Sequence, residues 1–205
     1  MSALLGLEAP ARTALRLRTD GGRVLPLHVD RWFDEPSGAE LELLSRAEPS
    51  VLDVGCGPAR HTIALLAFGV AALGVDLSAR AVRAARRRGA PVIHRSIFDR
   101  LPGEGTWGSA LLLDGNIGIG GDPAVLLSRL GGLLRPGGRV LVELDPPGTP
   151  TGLLRVTVEG SGAHPSWFPW ACVGVDGLAP LACGAGLRVA EIWTAEGRWF
   201  GRLDR

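Results

Sequence analysis

Four aspartates follow short apolar runs: Asp53 after Val51-Leu52, Asp76 after Gly74-Val75, Asp114 after "LLL", and Asp145 after "VLVEL". An acid at the end of a buried strand is a fixed acceptor for a hydroxyl or an ammonium. Around the first acid the chain reads "VLDVGCGPARHT". Gly55 and Gly57 remove Cβ where a ligand must lie against the backbone. The helix that follows offers unpaired N–H groups to a carboxylate or phosphate. A dinucleotide-binding turn wants a third glycine at the position held by Arg60. Asp53 would also repel a pyrophosphate, and it suits a ligand carrying an ammonium. Asp76, ending the next strand, is placed to accept both hydroxyls of a ribose.

The elements that carry these acids alternate. Apolar runs predict strands at 51–54, 71–75, 91–94, 109–113 and 139–144. Helices are expected at 59–68, at 79–88 behind the Ser78 cap, and at 123–134 behind Asp122-Pro123. Such alternation implies βαβ units and a mostly parallel, doubly wound sheet. Right-handed crossovers then bring all four aspartates to one rim. Before this unit, "ALRLRT-DGG-RVLPLH" reads as a β-hairpin, followed by Trp32-Phe33 and a short helix near 39–47. After it come a strand near 154–158, an aromatic loop "SGAHPSWFPW", and a short helix capped by Asp176. A closing antiparallel hairpin, 187–193 with 198–203, ends the chain. The expected division is residues 1–47 as hairpin and lid, and 48–205 as the main domain with an acceptor-side insertion at 146–175.

A ligand with an ammonium, a carboxylate and a ribose is S-adenosylmethionine. "LDVGCGPAR", "GVDLS" and "LLRPGGRVLVE", in that order, resemble motifs of the class I S-adenosylmethionine-dependent methyltransferases. The resemblance spans about residues 40–145 and implies a Rossmann-like seven-stranded sheet. It implies that Asp53, Gly55 and Gly57 hold the methionine end, that Asp76 binds the ribose, and that Leu77 packs on the adenine. Ser96 and the Ile97 N–H would meet the adenine edge, where many relatives carry an acid; Asp99 is the alternative. Asp114 and Asn116, in "LLLDGNIGIGGDP", fall where this family meets donor and acceptor, and the glycines there read as a supple gate.

Methyl transfer from a sulfonium is a displacement at carbon; it needs alignment first, and a base only for a protonated acceptor. His28, Trp32, His164 and Trp167 join Asn116 as acceptor-side candidates; His94 reads as a core histidine, and His61 as a candidate base or, as easily, a helix-packing residue. The expected function is methyl transfer to a small, neutral or apolar molecule. The other reading is a non-catalytic nucleotide-binding or interaction protein on the same fold.

Composition narrows the partners. The 205 residues carry a formal net charge of +1, which gives no field for nucleic acid. No apolar run reaches membrane-spanning length. The start of the chain shows no secretory pattern, and three unspaced cysteines, Cys56, Cys172 and Cys183, suit reduced thiols, so a cytoplasmic protein without a metal site is expected.

Overall fold

The computed structural model describes residues 15–27, 29–160 and 166–205. In chain order, a hairpin of β1 (Arg16–Thr19) and β2 (Val24–Pro26) precedes α1 (Gly38–Ser45). The central unit is β3 (Val51–Val54), α2 (Arg60–Ala67), β4 (Ala72–Asp76), α3 (Ala79–Arg87), β5 (Val92–His94), β6 (Trp107–Leu112), α4 (Pro123–Leu133) and β7 (Leu134–Leu144). Then follow β8 (Gly152–Glu159), β9 (Phe168–Cys172), α5 (Leu178–Gly184), β10 (Arg188–Ala195) and β11 (Arg198–Asp204).

Seven strands form one sheet in the order β10-β11-β7-β6-β3-β4-β5. The five central strands run parallel, and β11 returns antiparallel to β7. Side chains alternate between the two faces, as strand geometry requires. Leu52, Val54, Ala110, Leu112, Val140 and Val142 pack beneath α4 and α5. Val51, Leu111, Leu113, Leu141 and Phe200 pack on the other side with Leu43, Leu44 and Leu65. Asp53 has the parity of Val51, so its carboxylate is delivered to the α2 side.

Local chemistry explains the element boundaries. Ser37 accepts from the Glu40 N–H, and Glu40 reaches back to the Ser37 N–H, a complete capping box for α1. Asp122 accepts from the Ala124 and Val125 N–H groups, with Pro123 in the first turn of α4. The α4 helix continues through Gly131-Gly132 to Leu133. Strand β7 begins earlier than expected, because Trp107 pairs with Leu134 and Ser109 with Arg139, leaving Arg135–Gly138 as an irregularity within the strand.

A second sheet, β2-β1-β8-β9, is antiparallel throughout. It joins the N-terminal hairpin to the insertion, two segments that the sequence presents as separate. Leu15, Leu17, Val156 and Val158 form its apolar face, on which Val29 from the turn after β2 packs. The expected aromatic loop is corrected here: Phe168–Cys172 is the edge strand β9, paired with β8 from Gly152↔Cys172 to Val156↔Phe168. Asp176 is also corrected, since Gly177 precedes α5 and the Asp176 carboxylate accepts instead from the Gly148 N–H at 2.7 Å. No described helix is long and apolar enough to cross a membrane.

Candidate functional site

The carboxyl ends of β3, β4 and β6 open onto one cavity of roughly 1210 Å³, its mouth included, lined by Asp53, Gly55, Gly57, Asp76, Leu77, Ser96, Ile97, Asp114 and Asn116. Every donor-side residue expected from the sequence is thus brought to one crevice. Asp145 is not in the lining; its N–H bonds Val173 O and its burial pushes the carboxyl up.

Asp53 is 2% exposed, and its Oδ2 accepts from the Thr62 N–H at 3.2 Å and the Thr62 hydroxyl at 2.7 Å. Among the described residues no guanidinium pairs with it. Burial pushes its carboxyl above the ordinary value. A buried carboxylate that lines a cavity and that no described guanidinium pairs is a fit for an ammonium. Gly55, two residues on, has φ +68°, and a Cβ there would come within 2.8 Å of Asn116 Nδ2. Asn116 explains the tightness: its amide donates to Val54 O at 2.9 Å and Gly55 O at 3.1 Å, tying the loop after β6 to the loop after β3.

Asp76 Oδ2 accepts from the Gly57 N–H at 2.9 Å and Oδ1 from the Ser78 N–H at 2.7 Å. Each oxygen keeps a second lone pair for a hydroxyl. Burial raises this carboxyl too. Leu77 beside it is 39% exposed, an apolar surface left open at the cavity. The Asp99 carboxylate accepts from the Ser96 N–H at 3.1 Å, closing its own turn, and Asp99 does not line the cavity. Ser96 and Ile97 do. His94 is exposed rather than in the core, because β5 is the short edge strand; its Nε2 lies 2.9 Å from Leu77 O.

Ala59 caps α2 from the left-handed region, φ 67° and ψ 38°, with its side chain fully buried. Left-handed strain of about 1–2 kcal/mol for an L-residue, less about 0.4–1 kcal/mol for the looser unfolded chain of a glycine variant, leaves a net gain. Ala59→Gly should therefore stabilise the protein by about 0.5–1 kcal/mol, read as a rise in Tm of about 1–4 °C.

The largest feature missed from the sequence is a ring of charges beside the glycine turn. Arg60 is 3% exposed and Glu40 1%. Arg60 Nη2 donates to Glu40 Oε1 at 2.7 Å and to both Asp114 oxygens at 2.8 Å; its Nη1 donates to Arg31 O and its Nε to His61 Nε2. Arg198 donates to Glu40 Oε1 at 2.9 Å and doubly to Glu143 at 2.8 Å. Glu143 closes the ring by accepting from the Asp114 N–H at 2.8 Å. Burial alone would raise Glu40, but His61, the Ser37 N–H and Arg60 hold its carboxyl far below the usual carboxylate range. Asp114 sits at φ 54°, an unusual backbone for a non-glycine residue, and the ring is what fixes it there.

Over the cavity stand Leu17, Leu27, Trp32, Val158, Phe168 and Trp170 from the small sheet and the turn after it. Phe168 and Trp170 meet edge to face, with centroids 6.2 Å apart. Trp32 is therefore in the lining, whereas Trp167 is 43% exposed and outside it. His61, for which helix packing and a base were both open, lines the cavity. His28 and His164 lie outside the described residues. The glycine-rich loop after β6 is packed rather than slack: a Cβ on Gly118 would meet Ala171 O at 2.3 Å and Trp170 Nε1 at 2.6 Å. Its glycine is needed for the roof to approach. Among the described residues no cluster of three His, Cys, Asp or Glu side chains gathers as for a metal.

Residues 51–138 match the family model described as a methyltransferase domain. No curated protein matches the chain. Among solved structures, a methyltransferase from Bacteroides fragilis in complex with S-adenosylhomocysteine is similar at 21% identity and TM-score 0.74, over 93% of this chain and 86% of that one. The 1,6-didemethyltoxoflavin-N1-methyltransferase of Burkholderia thailandensis is similar at 21% identity and TM-score 0.62, over 87% and 83%. A sugar N-methyltransferase from Streptoalloteichus gives 19% identity and TM-score 0.59, over 82% and 83%. Chain order, sheet order and the closing hairpin are those of the Rossmann-like class I methyltransferase fold.

Proposed function

From the methyltransferase domain at residues 51–138, we propose that this protein is an S-adenosylmethionine-dependent methyltransferase acting on a small molecule. The observation that carries the reading is the shared crevice of Asp53 and Asp76, one buried carboxylate that no described guanidinium pairs and one carboxylate with free lone pairs. S-adenosylmethionine supplies a methyl group on a sulfonium, already a good leaving group. Asp53 takes its ammonium, Gly55 and Gly57 let its methionine end lie on the backbone, and Asp76 accepts from the ribose hydroxyls. Leu77, Ser96 and Ile97 line the adenine end. Asn116 fixes the loop that separates donor from acceptor, and the roof with Trp32 excludes water and presents an apolar wall to the acceptor. The neighbours whose names give an acceptor, a toxoflavin precursor and a sugar, methylate small molecules, and the near-zero net charge fits such a partner.

Isothermal titration should show S-adenosylhomocysteine binding in the micromolar range. Protein supplied with labelled S-adenosylmethionine and small-molecule cell extract should yield labelled product. A well-folded sample that takes up no ligand would sink the proposal. Binding with no methylated product from any extract would leave a nucleotide-binding protein on this fold.

A further inference from the structure

The acceptor half of the cavity has an uneven chemistry. Its roof, Leu17, Leu27, Trp32, Val158, Phe168 and Trp170, contains no ionisable side chain. Beside it, among the described residues, stand Asp114, whose side chain is 26% exposed, and the buried Arg60 and His61, at 3% and 5%. The ring sets three carboxylates, Glu40, Asp114 and Glu143, against two guanidiniums, Arg60 and Arg198, a balance of −1 with the His61 imidazole, 3.7 Å from Glu40, left uncounted. Arg31 approaches Glu40 only at 3.9 Å and is 41% exposed, where solvent screens it.

Neither guanidinium is free to receive an anion. All three Arg60 nitrogens already donate, to Glu40, Asp114, His61 and the Arg31 carbonyl. Arg198 donates to Glu40 and Glu143. The remaining arginine of the lining, Arg95, stands beside Ser96 after β5. With the order β6-β3-β4-β5, it lies three strand spacings from the Asp114 strand, roughly 14 Å. An acidic acceptor would thus enter against a net negative edge, where the guanidiniums of the described lining are either already engaged or distant. A hydroxyl or amine would find a carboxylate whose direction is already fixed.

We propose that the methyl acceptor is a flat, uncharged molecule that donates a hydroxyl or amino hydrogen to Asp114, with Arg60 as the positioning residue that aims this carboxylate. Arg60 acts on both walls of the chamber. It grips Asp114 directly, and through the Arg31 carbonyl it holds the residue preceding Trp32. Arg88 fastens the other side of Trp32 by donating to Phe33 O at 3.3 Å. The inference rests on the methyltransferase reading.

The test titrates 2-naphthol and 2-naphthoate into protein saturated with S-adenosylhomocysteine. The naphthol should bind at least tenfold more tightly than the naphthoate. In Asp114→Asn that preference should fall below threefold, with the S-adenosylhomocysteine Kd changed by less than threefold. Arg60→Lys should weaken naphthol about tenfold while donor affinity moves less than threefold; a purely structural arginine would weaken both together. Equal binding of the two probes to the wild-type complex, or binding of neither, overturns the proposal without needing any variant. Loss of S-adenosylhomocysteine affinity in Asp114→Asn, in a sample with an intact thermal transition, overturns it by assigning Asp114 to the donor. Failure of the wild type to bind S-adenosylhomocysteine counts instead against the methyltransferase reading.

Discussion

Replacing Arg60 with methionine is expected to destabilise the fold by about 3–5 kcal/mol, because it leaves the buried Glu40 without its nearest cation. For a domain whose total stability is about 5–15 kcal/mol, that is a large share. Urea unfolding should show the midpoint falling with an unchanged m-value, and Tm should drop by roughly 6–20 °C. The double variant Glu40→Gln/Arg60→Met should recover part of the loss, since the buried carboxylate that lost its nearest cation is gone. Recovery would be incomplete, because Asp114 and the Arg31 carbonyl also lose their donor. Additive losses from the two changes would show that the ring is not one coupled unit.

The same ring gives stability an acid limb. Despite its burial, Glu40 is held far below its ordinary pKa by His61, the Ser37 N–H and Arg60. A carboxyl depressed in the folded state contributes fully above its unfolded value, about 4.3, and loses that contribution as pH falls toward the folded one. Stability should therefore decline below about pH 4–5 in the wild type. In Arg60→Met that decline should be shallower, because the gap between the two pKa values narrows.

The sequence made the parallel core readable for a simple reason. Buried central strands are continuous apolar runs, and each ended in an acid, a Gly or a capped helix, as at Val51–Val54 and Ser78. The terminal hairpin was equally plain, with Glu196-Gly197 at positive φ between β10 and β11. Strand β9 was obscured because "FPWAC" contains Pro169, which argues against a central strand; β9 lies at the sheet edge, where a missing N–H is tolerated. The charge ring was hidden for a different reason. Glutamate and arginine on short helices read as solvated surface, and only tertiary pairing buries them. One local mismatch did point to it. Arg60 opens α2, the helix end where a cation is disfavoured by the dipole, so its place there calls for a fixed anion. The glycine loop after β6 misled in the opposite sense, because small residues serve close approach as well as freedom, and at Gly118 it is the approach of Trp170 that demands one.

Asp76→Ala is expected to weaken S-adenosylhomocysteine binding at least 100-fold. Two ribose hydroxyls lose a charged acceptor, each such bond contributing about 1.5–3 kcal/mol. The Gly57 and Ser78 N–H groups lose theirs as well, so the glycine turn beneath the ligand loosens. Titration of both proteins at pH 8 checks this, with a thermal melt to confirm that the variant folds. Protonation supplies a second, independent readout. Burial raises both Asp53 and Asp76 above ordinary carboxylate values in the free protein. For these groups the folded pKa exceeds the unfolded one, so their effect on stability is opposite to that of Glu40: it favours the fold at acid pH and is lost as pH rises through the raised value. A bound ammonium beside Asp53 must pull that carboxyl back down. Binding in the acidic window, at about pH 5 where ordinary carboxyls are already ionised, should therefore release protons, and affinity should climb as pH rises toward neutrality. Titrations in two buffers of different ionisation enthalpy at pH 5 would show different heats. Identical heats there would mean that the ammonium does not reach Asp53, even if Asp76 holds the ribose.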